Sequence, residues 1–256
     1  MTIAIPDNAL FAPLFASAEA ISADRTLRII RTSENECARL LRNNNVDAAF
    51  LSPLAYGSEV GHTDYRIIPT KLCALRGWTN SAAIFFRPGM QSIGSIGSAH
   101  PDDFLIRIGG LLLEEQYDIT TAIESAATSA GSDTTGFDAM ISWRNGEPTA
   151  EGMDIGEEWF MAHERPLIAG LWVCRIDTAE EDDLFALTNT IAGSNLTEMT
   201  ECVETTPHHD TIPRSGEILW NWYDTAEEDL NAILYMLYYR QLLPEIPAVK
   251  LLGRDE

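Results

Sequence analysis

Apolar positions along the chain follow two periods that alternate. Residues 2–5 (TIAI) place Ile3 and Ile5 two apart, the period of a strand. Residues 9–20 are rich in alanine and predict a helix. Residues 27–31 predict a second strand. Ser33 then opens a helix: Ser33 and Glu36 have capping-box spacing, and Cys37, Leu40 and Leu41 form one apolar stripe before the asparagines 43–45 end it. Residues 46–51 (VDAAFL) read as a short buried strand running into a loop, residues 52–57 (SPLAYG).

The alternation continues to the end. Residues 81–86 (SAAIFF) predict a strand, and residues 92–96 a short one before the stretch 97–103 (GSAHPDD). Pro101, with its fixed φ, suits the start of a helix carrying Phe104, Leu105, Ile108 and the leucines 111–113. Residues 137–141 predict a strand, and residues 167–174, opened by Pro166, a longer one that is apolar throughout. Residues 177–183 begin a helix, with Thr178 and Glu181 again at capping-box spacing. Thr225 and Glu228 repeat that spacing before a C-terminal helix whose Leu230, Ile233, Leu234 and Leu237 share a face. Alternating strands and helices imply an α/β protein with mostly parallel sheets. Ligands in such folds lie beyond the C-terminal ends of strands, near helix N-termini. The loops after VDAAFL, SAAIFF and SIGS are therefore the places to look for a site.

Composition narrows the function. The 256 residues, 45% of them hydrophobic, allow one large domain or two lobes. No apolar run reaches the length of a membrane-spanning helix. The start, MTIAIPDNALFAPLF, lacks the basic region and long apolar core of a secretion signal, so the expected location is the cytoplasm, although a mature form given a new Met1 would read alike. Acidic residues number 39 against 17 basic ones, a net charge of −22, and Lys71 and Lys250 are the lysines. That balance argues against nucleic acid and against anionic membranes as partners. A solvated acidic shell explains it, and salt tolerance is the alternative. Cys37, Cys73, Cys174 and Cys202 form no C-x-x-C pair, and His208, His209 and Asp210, adjacent beside Pro207 and Pro213, read as a solvated loop, so no metal site is expected. No phosphate loop, dinucleotide fingerprint or nucleophile elbow is present, and no cofactor is expected.

Polar groups in the expected loops are the candidate ligand contacts. Ser52 offers a hydroxyl and Tyr56 a ring for stacking, against a plain turn with a packed tyrosine. Asn80 and Ser81 enter the SAAIFF strand after Trp78, where local turn capping is the alternative. Gly97 and Ser98 precede a helix whose free N–H groups suit a carboxylate, although Asp102 and Asp103 would repel a close anion.

Three stretches carry a resemblance: residues 46–57 (VDAAFLSPLAYG), residues 81–88 (SAAIFFRP), and residues 154–175 (DIGEEWFMAHERPLIAGLWVCR). The last has Asp154, Gly156 and Trp159, then Pro166 and an apolar run with Trp172. Together they resemble the menaquinone-biosynthesis family of the futalosine route, whose members include chorismate dehydratase and the dehypoxanthine-futalosine cyclising enzyme. The resemblance implies a two-lobe, periplasmic-binding-protein-like type II fold with two crossing strands and a ligand cleft between the lobes. SAAIFF would be the first crossing and residues 167–174 the second, with residues 1–87 plus 170–256 as one lobe and 88–169 as the other. It places Ser81 where the dehydratases have a serine facing the substrate. The family's asparagine ahead of a Pro-Leu pair falls at Leu10, with Asn8 two residues away. Its carboxylate-binding loop is replaced by His100, Pro101, Asp102 and Asp103, and its Gly-Asp by Ser142 and Trp143. Arg87, Arg144 and Arg165 are the cations available to compensate.

Two readings stay open. One is a dehydratase-like lyase acting on chorismate or a related cyclic carboxylate, with Ser81 and Asn8 as catalytic candidates and Asn80 as a polar partner. The absent secretion signal favours it. The other is a non-catalytic solute-binding protein, in which Tyr56, Trp78 and Trp143 line an aromatic site for a less charged small molecule. Oligomeric state is not legible.

Overall fold

The structure is a computed structural model that describes residues 1–23, 27–59, 64–127, 136–144, 152–176, 180–205 and 212–254. It is a mixed α/β protein with two sheets, and its contacts divide the chain into two compact units. The first unit comprises Met1–Ala74, Ile168–Met199 and Leu219–Glu256, and the second Leu75–Leu167 and Thr200–Ile218.

The first unit starts with β1 (Thr2–Pro6), a 3-10 helix (Ala9–Phe15), α1 (Ala18–Ala23), β2 (Arg28–Thr32), α2 (Glu34–Arg42), β3 (Ala48–Leu51) and α3 (Pro53–Glu59). β1 pairs in parallel with β2, Ile3 opposite Ile29, and with β3, Ile3 opposite Ala48. The expected helix over 9–20 is two short pieces that part at Ala16 and Ser17, where the Ser17 N–H donates to the Ile191 carbonyl at 2.9 Å instead of continuing the helix. Ser33 caps α2 as expected, accepting from the Glu36 N–H at 3.3 Å. The return half of the capping box is missing, since the Glu36 carboxylate binds Arg39 instead. The SPLAYG segment, expected as a loop, is helix α3, with Pro53 at its first position where a missing N–H costs nothing.

The chain then enters β4 (Tyr65–Gly77), whose 13 residues run from the first unit into the second. The second unit continues with β5 (Ala82–Phe86), β6 (Ile96–Ser98), α4 (Phe104–Tyr117), β7 (Ile123–Ser125), β8 (Ala139–Trp143), β9 (Met153–Asp154) and α5 (Ile155–His163). Its sheet has the order β7-β6-β8-β5-β9. β6 is parallel to β7 and β8, while β5 is antiparallel to β8 and β9. β6 begins at Ile96, where the expected strand ends, and α4 begins at Phe104, three residues after Pro101. SAAIFF, expected as a crossing strand, forms β5 within the second sheet; β4 makes that passage. Residues 75–87, expected in the first lobe, accordingly belong to the second unit, as do 200–218.

β10 (Leu167–Arg175) brings the chain back and is buried along all but its last residue. It lies antiparallel to β3, with Trp172 opposite Phe50. The chain finishes with α6 (Glu181–Ala192), β11 (Met199–Val203), β12 (Ser215–Asn221) and α7 (Ala226–Tyr239). The order of the larger sheet is β11-β12-β4-β10-β3-β1-β2. Both sheets are thus mixed rather than mostly parallel. In the first unit Phe15, Phe50 and Trp172 pack edge to face and Phe11 lies tilted on Phe50, with ring centroids 5.2–5.8 Å apart. In the second, Ala83, Phe85 and Met140 form a core against Phe137. Among the described residues no helix is long and apolar enough to cross a membrane.

Candidate functional site

The expected contacts divide between the units. Asn8, Ser52 and Tyr56 lie in the first. Asn8 caps the 3-10 helix, its Oδ1 accepting from the Leu10 N–H at 3.0 Å. Ser52 Oγ accepts from the Ala55 N–H at 3.3 Å, at the start of α3. Tyr56 is fully buried; its hydroxyl donates to the Ala248 carbonyl at 2.8 Å and accepts from the Lys250 N–H at 3.2 Å. Its ring therefore packs α3 onto the C-terminal segment and offers no face for stacking.

Asn80, Ser81, Gly97, Ser98 and Trp143 lie in the second unit. Gly97 and Ser98 are taken up locally. A Cβ on Gly97 would stand 2.6 Å from Met140 Sδ, so the position is filled by packing. Ser98 Oγ accepts from the His100 N–H at 3.1 Å. The Trp143 indole N–H donates to Asp103 Oδ2 at 2.9 Å. Burial raises the Asp103 carboxyl above its ordinary value. The stretch read as a possible carboxylate cradle thus ends in a half-buried acid bonded to an indole.

Asn80 and Ser81 belong to a different arrangement. The segment Trp78–Ser81 joins β4 to β5, and Trp78, Thr79 and Ser81 are 7%, 5% and 8% exposed. Three buried polar atoms on it, Trp78 Nε1, Thr79 Oγ1 and Ser81 Oγ, have no hydrogen-bond partner among the described residues. A buried donor or acceptor left unpaired costs about 1–3 kcal/mol. Asn80 stands between them at φ 53°, a left-handed conformation that asparagine tolerates better than most residues.

Two charged side chains hold this segment. Arg144, directly after β8, donates from Nη1 to Asn80 Oδ1 at 2.8 Å, and its backbone N–H donates to the Ser81 carbonyl at 2.9 Å. Its guanidinium stands over the Phe85 ring at 5.2 Å, and burial lowers its pKa. Asp154, fully buried, accepts from the backbone N–H groups of Asn80 at 2.9 Å, Thr79 at 3.3 Å and Glu157 at 3.0 Å. The last of these makes it the N-cap of α5. Burial pushes its carboxyl up to about 6, against the pull of those donors and of Arg144. Behind it Arg214 binds Glu204 and, at 3.4 Å, Glu157, and lies over the Trp78 ring at 5.6 Å. The bonds to Glu204 raise the Arg214 pKa, while burial raises that of Glu157.

This geometry explains a motif that the sequence displayed without a role. Asp154 caps α5. Gly156 lets the first turn of α5 approach the end of β4, since a Cβ there would meet the Gly77 carbonyl oxygen at 2.8 Å. Trp159 is buried against His163, with ring centroids 4.1 Å apart. Thr79 and Asp154 went unread as site residues. Asp154 and Glu157 stand three apart, and that spacing signals a helix start whose cap can also serve a neighbouring loop. Of the three arginines considered, Arg144 joins the segment, whereas Arg87 pairs with Asp138 at the other end of β5. His208, His209 and Asp210 lie outside the described residues. Among the described residues no group of three or more His, Cys, Asp or Glu is placed to hold a metal ion.

No family model matches the chain, and no curated protein matches it. Solved structures do. The alkanesulfonate-binding protein SsuA from Xanthomonas axonopodis pv. citri, bound to MOPS, is 11% identical, with 97% of this chain and 96% of that chain covered and a TM-score of 0.55. A protein from Bordetella bronchiseptica RB50 is 15% identical, covering 74% of this chain and 69% of that one, with a TM-score of 0.53. Protein AF1704 from Archaeoglobus fulgidus is 16% identical, covering 73% and 72%, with a TM-score of 0.50. The fold is that of the periplasmic-binding-protein-like α/β proteins. At such identities the likeness reaches the fold and stops there.

Proposed function

We propose that the protein binds a small carboxylate, and that the second unit contacts it through Trp78, Thr79 and Ser81 with Arg144 supplying the positive charge. The supporting observation is the run of three buried, unpartnered polar atoms on one four-residue segment beside a buried guanidinium. A ligand oxygen would give the indole N–H and the two hydroxyls the partner they lack among the described residues, and an anion complements Arg144. The Xanthomonas protein, similar in fold, is bound to MOPS, a sulfonate, which supports an organic anion as the ligand to try here. Calorimetric titration with chorismate, benzoate and MOPS, and with benzamide as the uncharged control, tests this. At least one anion binds, benzamide does not, and Ser81→Ala weakens the anion about tenfold. Equal binding of benzamide, or an unchanged Ser81→Ala, would overturn it.

A second reading adds chemistry at the same place. Ser81, the position that resembles the substrate-facing serine of chorismate dehydratases, has a hydroxyl with no partner among the described residues, which suits a group that orients a substrate. Elimination of water from a cyclohexadienyl carboxylate removes a ring proton and the ring hydroxyl and gains aromaticity, so positioning supplies much of what it needs. Incubation with chorismate, followed by NMR for the enolpyruvyl benzoate, decides it. Binding without product leaves a binding protein, whereas product that disappears in Ser81→Ala makes it a lyase.

A further inference from the structure

Residues 78–81 do not form their own shape. Backbone N–H groups at Thr79 and Asn80 find no strand partner there, and both point at one carboxylate 74–75 positions along the chain. Asn80 adopts a positive φ, a region that a residue other than glycine enters at some cost even where, as for asparagine, that cost is small. Two contacts keep it there: Arg144 on its side chain and Asp154 on its backbone. Asp154 also caps α5 through the Glu157 N–H, and α5 is a helix of nine residues packed in the second unit. The segment is thereby tied to a rigid element.

We propose that Asp154 is a positioning residue for the candidate ligand site: its carboxylate fixes the backbone of Thr79 and Asn80 to the first turn of α5 and so aims the unpartnered side chains of Trp78, Thr79 and Ser81. The proposal rests on the reading of residues 78–81 as the ligand contact. A protonated carboxyl accepts more weakly than a carboxylate, so the hold is loosened by acid. Among the described residues, the charged and titratable groups around Asp154 are Arg144 after β8, Glu157 on α5, Cys202 on β11, and Glu204 and Arg214 between β11 and β12. Arg144 favours the ionised form and Glu157 opposes it, while burial is the largest influence and raises the midpoint to about 6.

Backbone amide NMR and chorismate titration on the full chain, wild type and Asp154→Asn, test this between pH 7.5 and 5. In the wild type the Thr79 and Asn80 amides move with a midpoint near 6, and chorismate affinity falls severalfold over the same range. In Asp154→Asn both amides are displaced at every pH, and chorismate binds about tenfold more weakly with no pH dependence in this interval. Affinity unchanged in Asp154→Asn, or amides of Thr79 and Asn80 that do not titrate, overturns the proposal. If the amides respond as described but the wild type binds none of chorismate, benzoate and MOPS, Asp154 braces residues 79–80 for the fold alone, and it is then the carboxylate-binding function that has failed. A variant too unstable to study is replaced by Asp154→Ser, which retains one acceptor for the α5 cap; amides of Thr79 and Asn80 that stay in their wild-type positions there also overturn it.

Discussion

Thr79 and Ser81 bury hydroxyls that have no partner among the described residues, a cost of about 1–3 kcal/mol each. A residue kept at such a cost is a target for a substitution that separates stability from function. Valine has the shape of threonine without the hydroxyl. Thr79→Val is expected to leave the denaturation midpoint unchanged or to raise it, because the unpaired group disappears while the packing stays. The same variant is expected to weaken carboxylate binding about tenfold. Urea denaturation and calorimetry on one preparation check both halves, and a loss of stability equal to the loss of binding would make Thr79 a structural residue. Part of this site was legible in the sequence. Asn80 and Ser81 stood out as polar residues entering an apolar strand. Their neighbours did not, because what matters about a hydroxyl is the partner it lacks, and partners come from afar. Asp154 lies 74–75 residues from the amides it holds and Arg144 lies 64 from Asn80. Tyr56 misled for the same reason, since its hydroxyl is satisfied by residues 248 and 250, far along the chain.

Elements with a strong local pattern formed where that pattern placed them. β1, β2, α2, β10 and the Leu230–Leu237 face of α7 each carry their periodicity within a dozen residues. The elements that were missed are those with weak or mixed patterns. β4 is interrupted by half-exposed Thr70 and Lys71, and β7 and β11 expose most of their side chains. α3 hid behind its Pro53 and Gly57, two residues that usually mark loops; Gly57 is there because a Cβ would come within 2.7 Å of Leu243. β10 shows how tightly an element with a clear pattern is then fitted. Gly170 lies against the edge of the Phe50 ring, and a Cβ would fall 2.2 Å from Phe50 Cε1. That ring cannot retreat, being packed edge to face on Trp172 and Phe15 and tilted on Phe11. Gly170→Ala is therefore expected to destabilise the first unit by about 2 kcal/mol or more, as overpacked cores do, with the loss read from the urea midpoint. A midpoint within error of the wild type would mean that the aromatic cluster repacks freely.

At the scale of the whole molecule, the net charge of −22 acts on every process at once. Salt pulls in two directions. It screens the exposed ion pairs, such as Arg39 with Glu36, Arg107 with Asp102 and Arg254 with Glu227, and exposed pairs contribute about 0–1 kcal/mol each. It also screens the mutual repulsion of a surface on which acids outnumber bases by more than two to one. With a Debye length of about 10 Å at 0.1 M, that repulsion is long-ranged at low ionic strength and nearly gone at about 1 M. The excess of acids decides the sign, so the melting temperature is expected to rise by several degrees as sodium chloride increases from about 0.05 M to about 1 M. Chloride is the salt to use, because sulfate strengthens burial by a separate route. The same field opposes the approach of an anionic ligand. Where a complementary field speeds association and salt slows it, here the protein and a carboxylate carry the same sign, so the association rate rises with salt. Stopped-flow titration using tryptophan fluorescence measures it. A rate that falls with salt would mean that the positive charge of Arg144 and Arg214, and not the acidic surface around them, sets the potential an arriving carboxylate meets.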